Sequence, residues 1–296
     1  MDNTNLPQER DIIRSVVEQL SHSDNDGVMA HSSPNNTPTP DSNTLREIID
    51  ILSSMLFPGH FGSIRLVDGS TTYYSSIHKL HALLFEQIVR GFSFVCPRQK
   101  SDHECIICRQ RSERISHEMI STLPRLKQLL QTDVVAAYNG DPAAKNYGEV
   151  ISCYPSIRAL THHRFAHELY KLEVPIIPRM ISEMAHSLTG IDIHPGATID
   201  EYFFMDHGTG IVVGETCHVG KNVRLYQGVT LGAKSFPLDK DGNPVKGIVR
   251  HPTVKDDAII YSGATILGTV TIGKGAVIGG NVWIMNDVGD GEKVLK

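Results

Sequence analysis

Apolar positions in the last third of the chain recur every six residues. Counting in sixes from Ile193 gives Ile199, Met205, Ile211, Cys217, Val223 and Val229. After a break the beat runs from Val254 through Ile260, Ile266, Ile272, Ile278 and Ile284. Three positions after most of these anchors stands a residue that tolerates a left-handed backbone. These are Gly196, Gly208, Gly214, Gly220, Gly232, Asp257, Gly263, Gly275, Asn281 and Asp287. A helix repeats at 3.6 and a strand at 2, so neither produces this spacing. A hexapeptide repeat does: six residues make a short strand and a corner, and three such units make one triangular turn of a parallel β-helix. The anchors fill the prism.

Upstream the spacing is helical. Residues 7–21 predict a short amphipathic helix with Ile12, Ile13, Val16, Val17 and Leu20 on one face. Residues 22–43 are rich in Ser, Asn, Asp, Thr and Pro and predict a flexible linker, because they bury too little apolar surface to offset ordering. Further helices are expected over 44–56, 75–93, 103–131 (interrupted near Pro124), 156–171 and 176–188. Their stripes predict core and oligomer contacts. The charged, Gly- and Pro-rich segment 233–250 breaks the sixfold beat and predicts an exposed loop thrown from one corner. The expected fold class is α+β: residues 1–43 as helix and linker, an all-helical domain over 44–190, and a left-handed parallel β-helix over 191–296.

Composition narrows the function classes. A formal net charge of −5 gives no basic field for nucleic acid. No apolar run approaches a membrane span, and the first residues lack the basic and apolar regions of a secretory signal, so a cytoplasmic protein is expected. Five cysteines fit a disulfide framework poorly. Cys96, Cys105 and Cys108, with His103 and His117 nearby, could hold a metal; the plainer reading is reduced thiols in a helical segment. Cys217 falls on an inward anchor and reads as a small core residue.

Because the prism core is filled, polar chemistry must lie on outer faces or between copies. Asp192-Ile193-His194-Pro195, Asp206-His207-Gly208-Thr209-Gly210 and Arg250-His251-Pro252 concentrate unusual residues there. Asp192 and His207 are fifteen apart, three short of an eighteen-residue turn, so they could meet on adjacent coils. A carboxylate bonded to one imidazole nitrogen leaves the other free as a base. Hydrated surface groups or corner formers are the alternative reading.

GIDIHPGATI, MDHGTGIVVGET, QGVTLGA, the later RHP and Asp141-Pro142-Ala143 together resemble the serine O-acetyltransferases over about residues 130–288. The resemblance implies acetyl transfer from acetyl-CoA to the hydroxyl of L-serine on the route to cysteine, with no metal required. It implies His207 as general base and Asp192 as its orienting partner. Asp141, beside Pro142, and Asp206 would bind the serine ammonium, Arg250 the carboxylate, and His251 would line the same pocket between subunits. Gly232, Ala233 and Lys234, with Ser262, Gly263 and Ala264, would contact CoA. A homotrimer, paired into a hexamer through the helical domains, and feedback inhibition by L-cysteine are further implications. Ala233 stands where the family usually has a second glycine. The family's Gly-x-Pro-Ala segment and tail are absent before Lys296, so docking onto cysteine synthase is not expected. Rival readings are a hexapeptide acetyltransferase acting on a sugar or antibiotic, a zinc hydrolyase, which needs a histidine spacing not found here, and an inactive scaffold.

Overall fold

The computed structural model describes residues 9–21, 38–61, 69–96 and 105–295. Most of the expected 22–43 linker and His103 lie outside them. Seven helices occur among the described residues, followed by a parallel β-solenoid of short strands. The expected fold class is the one observed.

α1 (Glu9–Ser21) forms where expected, but its apolar face is not core: Ile12, Ile13, Val16, Val17 and Leu20 are 47–73% exposed. α2 (Ser42–Leu56) starts at Asp41, whose carboxylate accepts the Thr44 amide at 2.7 Å and so caps the helix. α3 (Gly69–Val95) packs on α4 (Ile106–Gly140). The interruption expected near Pro124 is absent; α4 runs on for 35 residues. Met119, Leu123, Leu126 and Leu130 on both sides of the proline are buried, and that packing outweighs the ~3 kcal/mol cost of an interior proline. A short helix that the spacing did not suggest, α5 (Tyr147–Cys153), begins at Asn146, whose side chain accepts the Glu149 amide at 2.9 Å. α6 (Pro155–Lys171) and α7 (Ile177–Thr189) complete the domain.

The solenoid has three faces. One sheet contains β1 (Asp192–Ile193), β4 (Val212–Val213), β7 (Thr230–Gly232), β10 (Thr265–Leu267) and β13 (Trp283–Ile284). The chain enters this face from the sheet holding β3 (Phe204–Asp206) and leaves it for the sheet holding β8 (Thr253–Val254). The beat of six needs one correction. Ile193 pairs with Val213 and Met205 with Leu225, 20 positions on, whereas Val213 pairs with Leu231, 18 on. Two extra residues therefore enter at the corner after Asp206. The equivalents of Ile193, Ile199 and Met205 are Val213, Val219 and Leu225. Ile211, Cys217, Val223 and Val229 fill a second inward position, also wholly buried. The second interruption is larger: Leu231 pairs with Ile266, 35 positions on, around the exposed loop. That loop carries a small antiparallel bridge, Leu238 to Pro244. Left-handed backbone occurs at Gly208, Asp257, Gly263, Gly275 and Asn281, but not at Gly196, Gly214, Gly220, Gly232 or Asp287.

Helices and prism are joined by a buried ion pair. Arg164 on α6 grips Asp133 on α4 through two 2.7 Å bonds, and its remaining donors reach the Ile199 and Asp200 carbonyls of the first coil. Both side chains are at most 4% exposed. The amide of Phe203 completes Asp133 at 3.2 Å.

Candidate active site

The site begins at the end of α4. Gly140 closes that helix against β3: a Cβ there would lie 2.5 Å from the ring of Phe204. This close approach sets Asp141, the C-cap residue, beside the strand that ends in Asp206. Asp141 accepts the Ala143 amide at 2.7 Å and a short bond from the Tyr154 hydroxyl, which α5 delivers. Those bonds, the Tyr154 one first, hold its carboxyl below the usual range, and His207 lowers it further. Tyr154 is correspondingly pushed up, chiefly by burial and then by Asp141.

His207 follows in the two-residue insertion. Its backbone is left-handed (φ 56°), which is uncommon for a residue with a side chain, and its imidazole is 71% exposed. Nε2 stands 3.7 Å from Asp206 Oδ1. The next residues fold back on the preceding coil: Gly210 N–H donates to the Gly190 carbonyl at 2.8 Å. Asp192 and His207 stand near the same corner, Asp192 pairing with Val212, five residues beyond His207. Among the described residues, however, no hydrogen bond joins them. The left-handed turn swings the imidazole toward Asp206 and solvent, and Asp192 instead exerts its field on His194.

A second group occupies the opposite edge of the same sheet. Arg250 donates to Glu215 at 2.6 Å, and Tyr170 on α6 donates to the other Glu215 oxygen at 3.0 Å. Burial works against the Glu215 charge, but these two bonds leave its carboxyl below the ordinary value. His251 is 7% exposed. Its Nδ1 accepts the Thr216 amide at 3.1 Å, so the proton sits on Nε2. Burial, reinforced by Arg250, lowers its pKa to about 4, and the ring is neutral at physiological pH. It lies where a Cβ on Gly214 would stand, so that position must lack a side chain.

The segments expected to meet CoA divide between the same two edges. Ser262–Ala264 stacks above His207's corner: Gly263 N–H donates to Gln227 and Gly228 N–H to Thr209. The Ala264 side chain is wholly buried, which leaves only its backbone for a ligand. Gly232–Lys234 lies at the Arg250 edge. There a cleft of about 390 Å³ opens under the inserted loop, lined by Lys234, Ile248, Arg250, Leu267 and Met285 among others. Pro142 is exposed beside Asp141.

Sequence reasoning missed Tyr154, Glu215 and Tyr170. Glu215 lies inside the quoted IVVGET motif, and the Asn146-x-x-Glu149 capping signal announces the helix that carries the chain to Tyr154. Nothing local marks Tyr170. Cys217 is core, and burial pushes its thiol up to about 12. His117 stacks on His81, ring centroids 4.4 Å apart, rather than joining the cysteine group.

No protein-family model matches the chain. A plasmid-borne serine acetyltransferase of Synechococcus elongatus is 46% identical over 278 residues, 93% of this chain and 87% of that protein. The Bacillus subtilis serine acetyltransferase is 45% identical over 57% of this chain and 73% of its own length. Among solved structures, Entamoeba histolytica serine acetyltransferase 1 in complex with L-cysteine is 31% identical. It superposes with a TM-score of 0.74 over 97% of this chain and 98% of that one.

Proposed function

The chain belongs to the serine acetyltransferase family, and on that premise we propose how its two edges transfer acetyl from acetyl-CoA to the hydroxyl of L-serine. The observation that carries the reading is the division of labour across one sheet. Two carboxylates, Asp141 and Asp206, flank an accessible imidazole at one edge. A guanidinium and a neutral imidazole stand at the other. An amino acid needs both halves.

The serine ammonium lies between Asp141 and Asp206, and its carboxylate meets the planar fork of Arg250 from a neighbouring copy. His207 takes the hydroxyl proton as the serine oxygen attacks the thioester carbon. Binding turns His207 toward Asp192, its orienter; catalytic hydrogen bonds are commonly loose before substrate arrives. The tetrahedral oxyanion collapses, the carbon–sulfur bond breaks, and the CoA thiolate recovers the proton from the imidazolium. His251 is too weak a base to compete. With its proton fixed on Nε2 it serves as a donor to the developing oxyanion. CoA runs along the cleft at Gly232–Lys234 and over the backbone of Ser262–Ala264, with no metal in the reaction.

In this scheme each site is shared by adjacent copies of a homotrimer, and the helical domains pair trimers into hexamers. L-Cysteine has the same ammonium and carboxylate as serine and takes the same site, with its thiol toward His207; the Entamoeba relative binds L-cysteine. Inhibition is therefore competitive with serine, and a falling maximal rate at constant KM would refute it.

Mixed oligomers test the shared site. His207→Ala alone loses about 10²–10⁴ in kcat, and Arg250→Ala alone loses serine binding. Co-expressed in equal amounts they recover about a quarter of wild-type activity, because each interface needs one intact half from each neighbour. A mixture as inactive as its parents means that the site closes within one chain.

A further inference from the structure

The helical domain holds a cluster that acetyl transfer does not use. Cys96 directly follows α3, Cys105 directly precedes α4, and Cys108 lies in the first turn of α4. Their three sulfurs all lie within 4.8 Å of one another. A thiol kept as a small apolar side chain belongs in a dry interior, where Cys217 is found wholly buried. Cys96, Cys105 and Cys108 are each partly exposed, and they face one another. A disulfide would use two of these sulfurs and leave the third unexplained. A tetrahedral thiophilic cation uses all three. Zinc–sulfur bonds of ~2.3 Å set the ligand sulfurs ~3.8 Å apart, inside the spread observed.

We propose that Cys96, Cys105 and Cys108 bind one zinc ion as thiolates and so tie the end of α3 to the start of α4. Soft thiolates select zinc over magnesium or calcium. The Cys105-x-x-Cys108 pair supplies two ligands at a spacing usual for structural zinc, and Cys96 brings the third from the other helix. Water completes the tetrahedron. The scaffold for this clasp is already assembled: Arg109 stacks over Phe85 and Arg111 over Phe92, 5.0 and 4.6 Å from the ring centres. These contacts bring the first turns of α4 onto α3. Zinc uptake releases the protons of the three thiols to solvent and leaves no change in oxidation state.

Full-length protein made in zinc-supplemented medium and purified without chelator is analysed by plasma mass spectrometry. It is expected to hold about one zinc per chain. Cobalt(II) exchanged for zinc gives thiolate-to-metal charge-transfer absorption in the near ultraviolet and intense tetrahedral bands in the visible. Cys96→Ser, Cys105→Ser and Cys108→Ser each lose the charge-transfer intensity of one ligand. Each also weakens zinc binding by more than the ~10–100-fold that loss of a ligand's hydrogen-bond partner costs. Cys153→Ser, outside the cluster, keeps the wild-type spectrum. Should a serine variant fail to fold, the wild-type spectrum and metal content decide alone. Wild-type protein that takes up neither metal after reduction overturns the proposal, and so does one that instead forms a disulfide within the trio. Full zinc content in a folded Cys105→Ser variant overturns it as well.

Discussion

At the scale of single residues, the two edges of the site are prepared differently. His207 stands exposed on a left-handed backbone, free to turn, whereas Arg250 is already held by Glu215, which Tyr170 steadies in turn. Glu215→Gln removes the charge that orients Arg250 and leaves the size unchanged. It is expected to raise the serine KM several-fold with a smaller change in the acetyl-CoA KM. Arg250→Lys should do the same more severely, since an ammonium cannot reproduce two parallel bonds to a carboxylate. Initial rates with each substrate varied in turn decide the matter, and equal rises in both KM values would assign this pair to CoA or to the interface. Within the prism the polar candidates Asp192, Asp206, His207 and Arg250 stood out in the sequence because unusual groups interrupt a strict repeat, whereas Asp141 was named only through the family resemblance. Their supports did not stand out. Glu215 was not singled out within its motif, and Tyr170 reaches it from 45 positions away, a contact that no local pattern encodes.

At the scale of elements, two of the joints between the helical domain and the prism lend themselves to substitution. The first is the contact of Gly140 with Phe204. Gly140→Ala drives a methyl group into that ring and shifts Asp141 away from Asp206. The expected result is weaker serine binding with acetyl-CoA binding preserved, measured by calorimetry for each ligand; unchanged serine affinity would mean that Asp141 does not depend on this approach. The second is the Asp133–Arg164 pair. Asp133→Ala strands a buried guanidinium and should cost about 3–5 kcal/mol in urea unfolding. A loss under about 1 kcal/mol would show that water reaches Arg164. The longer helices were readable from their stripes, and the short α5 was not. The continuous α4 was not, because a proline weighs heavily in local reasoning while burial on both sides of it is a tertiary effect. The two-residue slip after Asp206 was hidden for a related reason. The anchor before each strand is also apolar and inward, so a count in sixes shifted by two still lands on buried residues such as Ile211 and Cys217.

At the scale of the molecule, buried and half-buried histidines shape the response to acid. His162, His163, His167, His194 and His251 all have pKa values lowered from the ordinary 6.5, in each case first by burial. Above about pH 6.5 both the folded and unfolded chains hold these rings neutral, and stability is indifferent to them. Below it the unfolded chain takes up protons that the folded chain refuses, so stability falls as pH drops toward the folded values. Urea midpoints at pH 7.5 and 8.5 should therefore agree, and the midpoint at pH 5.5 should be clearly lower; a level profile down to pH 5 would contradict the burial of these rings. The prism adds a different consequence. Its two lengthened turns, 20 residues across His207's corner and 35 across the loop before Arg250, are also the places that hold the polar chemistry. Everything between is a regular coil that stacks on its neighbours by the same few contacts. A lineage could therefore duplicate or delete a whole eighteen-residue coil above Ile266 and change the length of the protein without disturbing serine recognition. A single residue gained or lost between Asp206 and Val212 would rotate His207 off its corner. Tolerance to change in this chain is thus set by the phase of the repeat and not by how far a residue lies from the substrate.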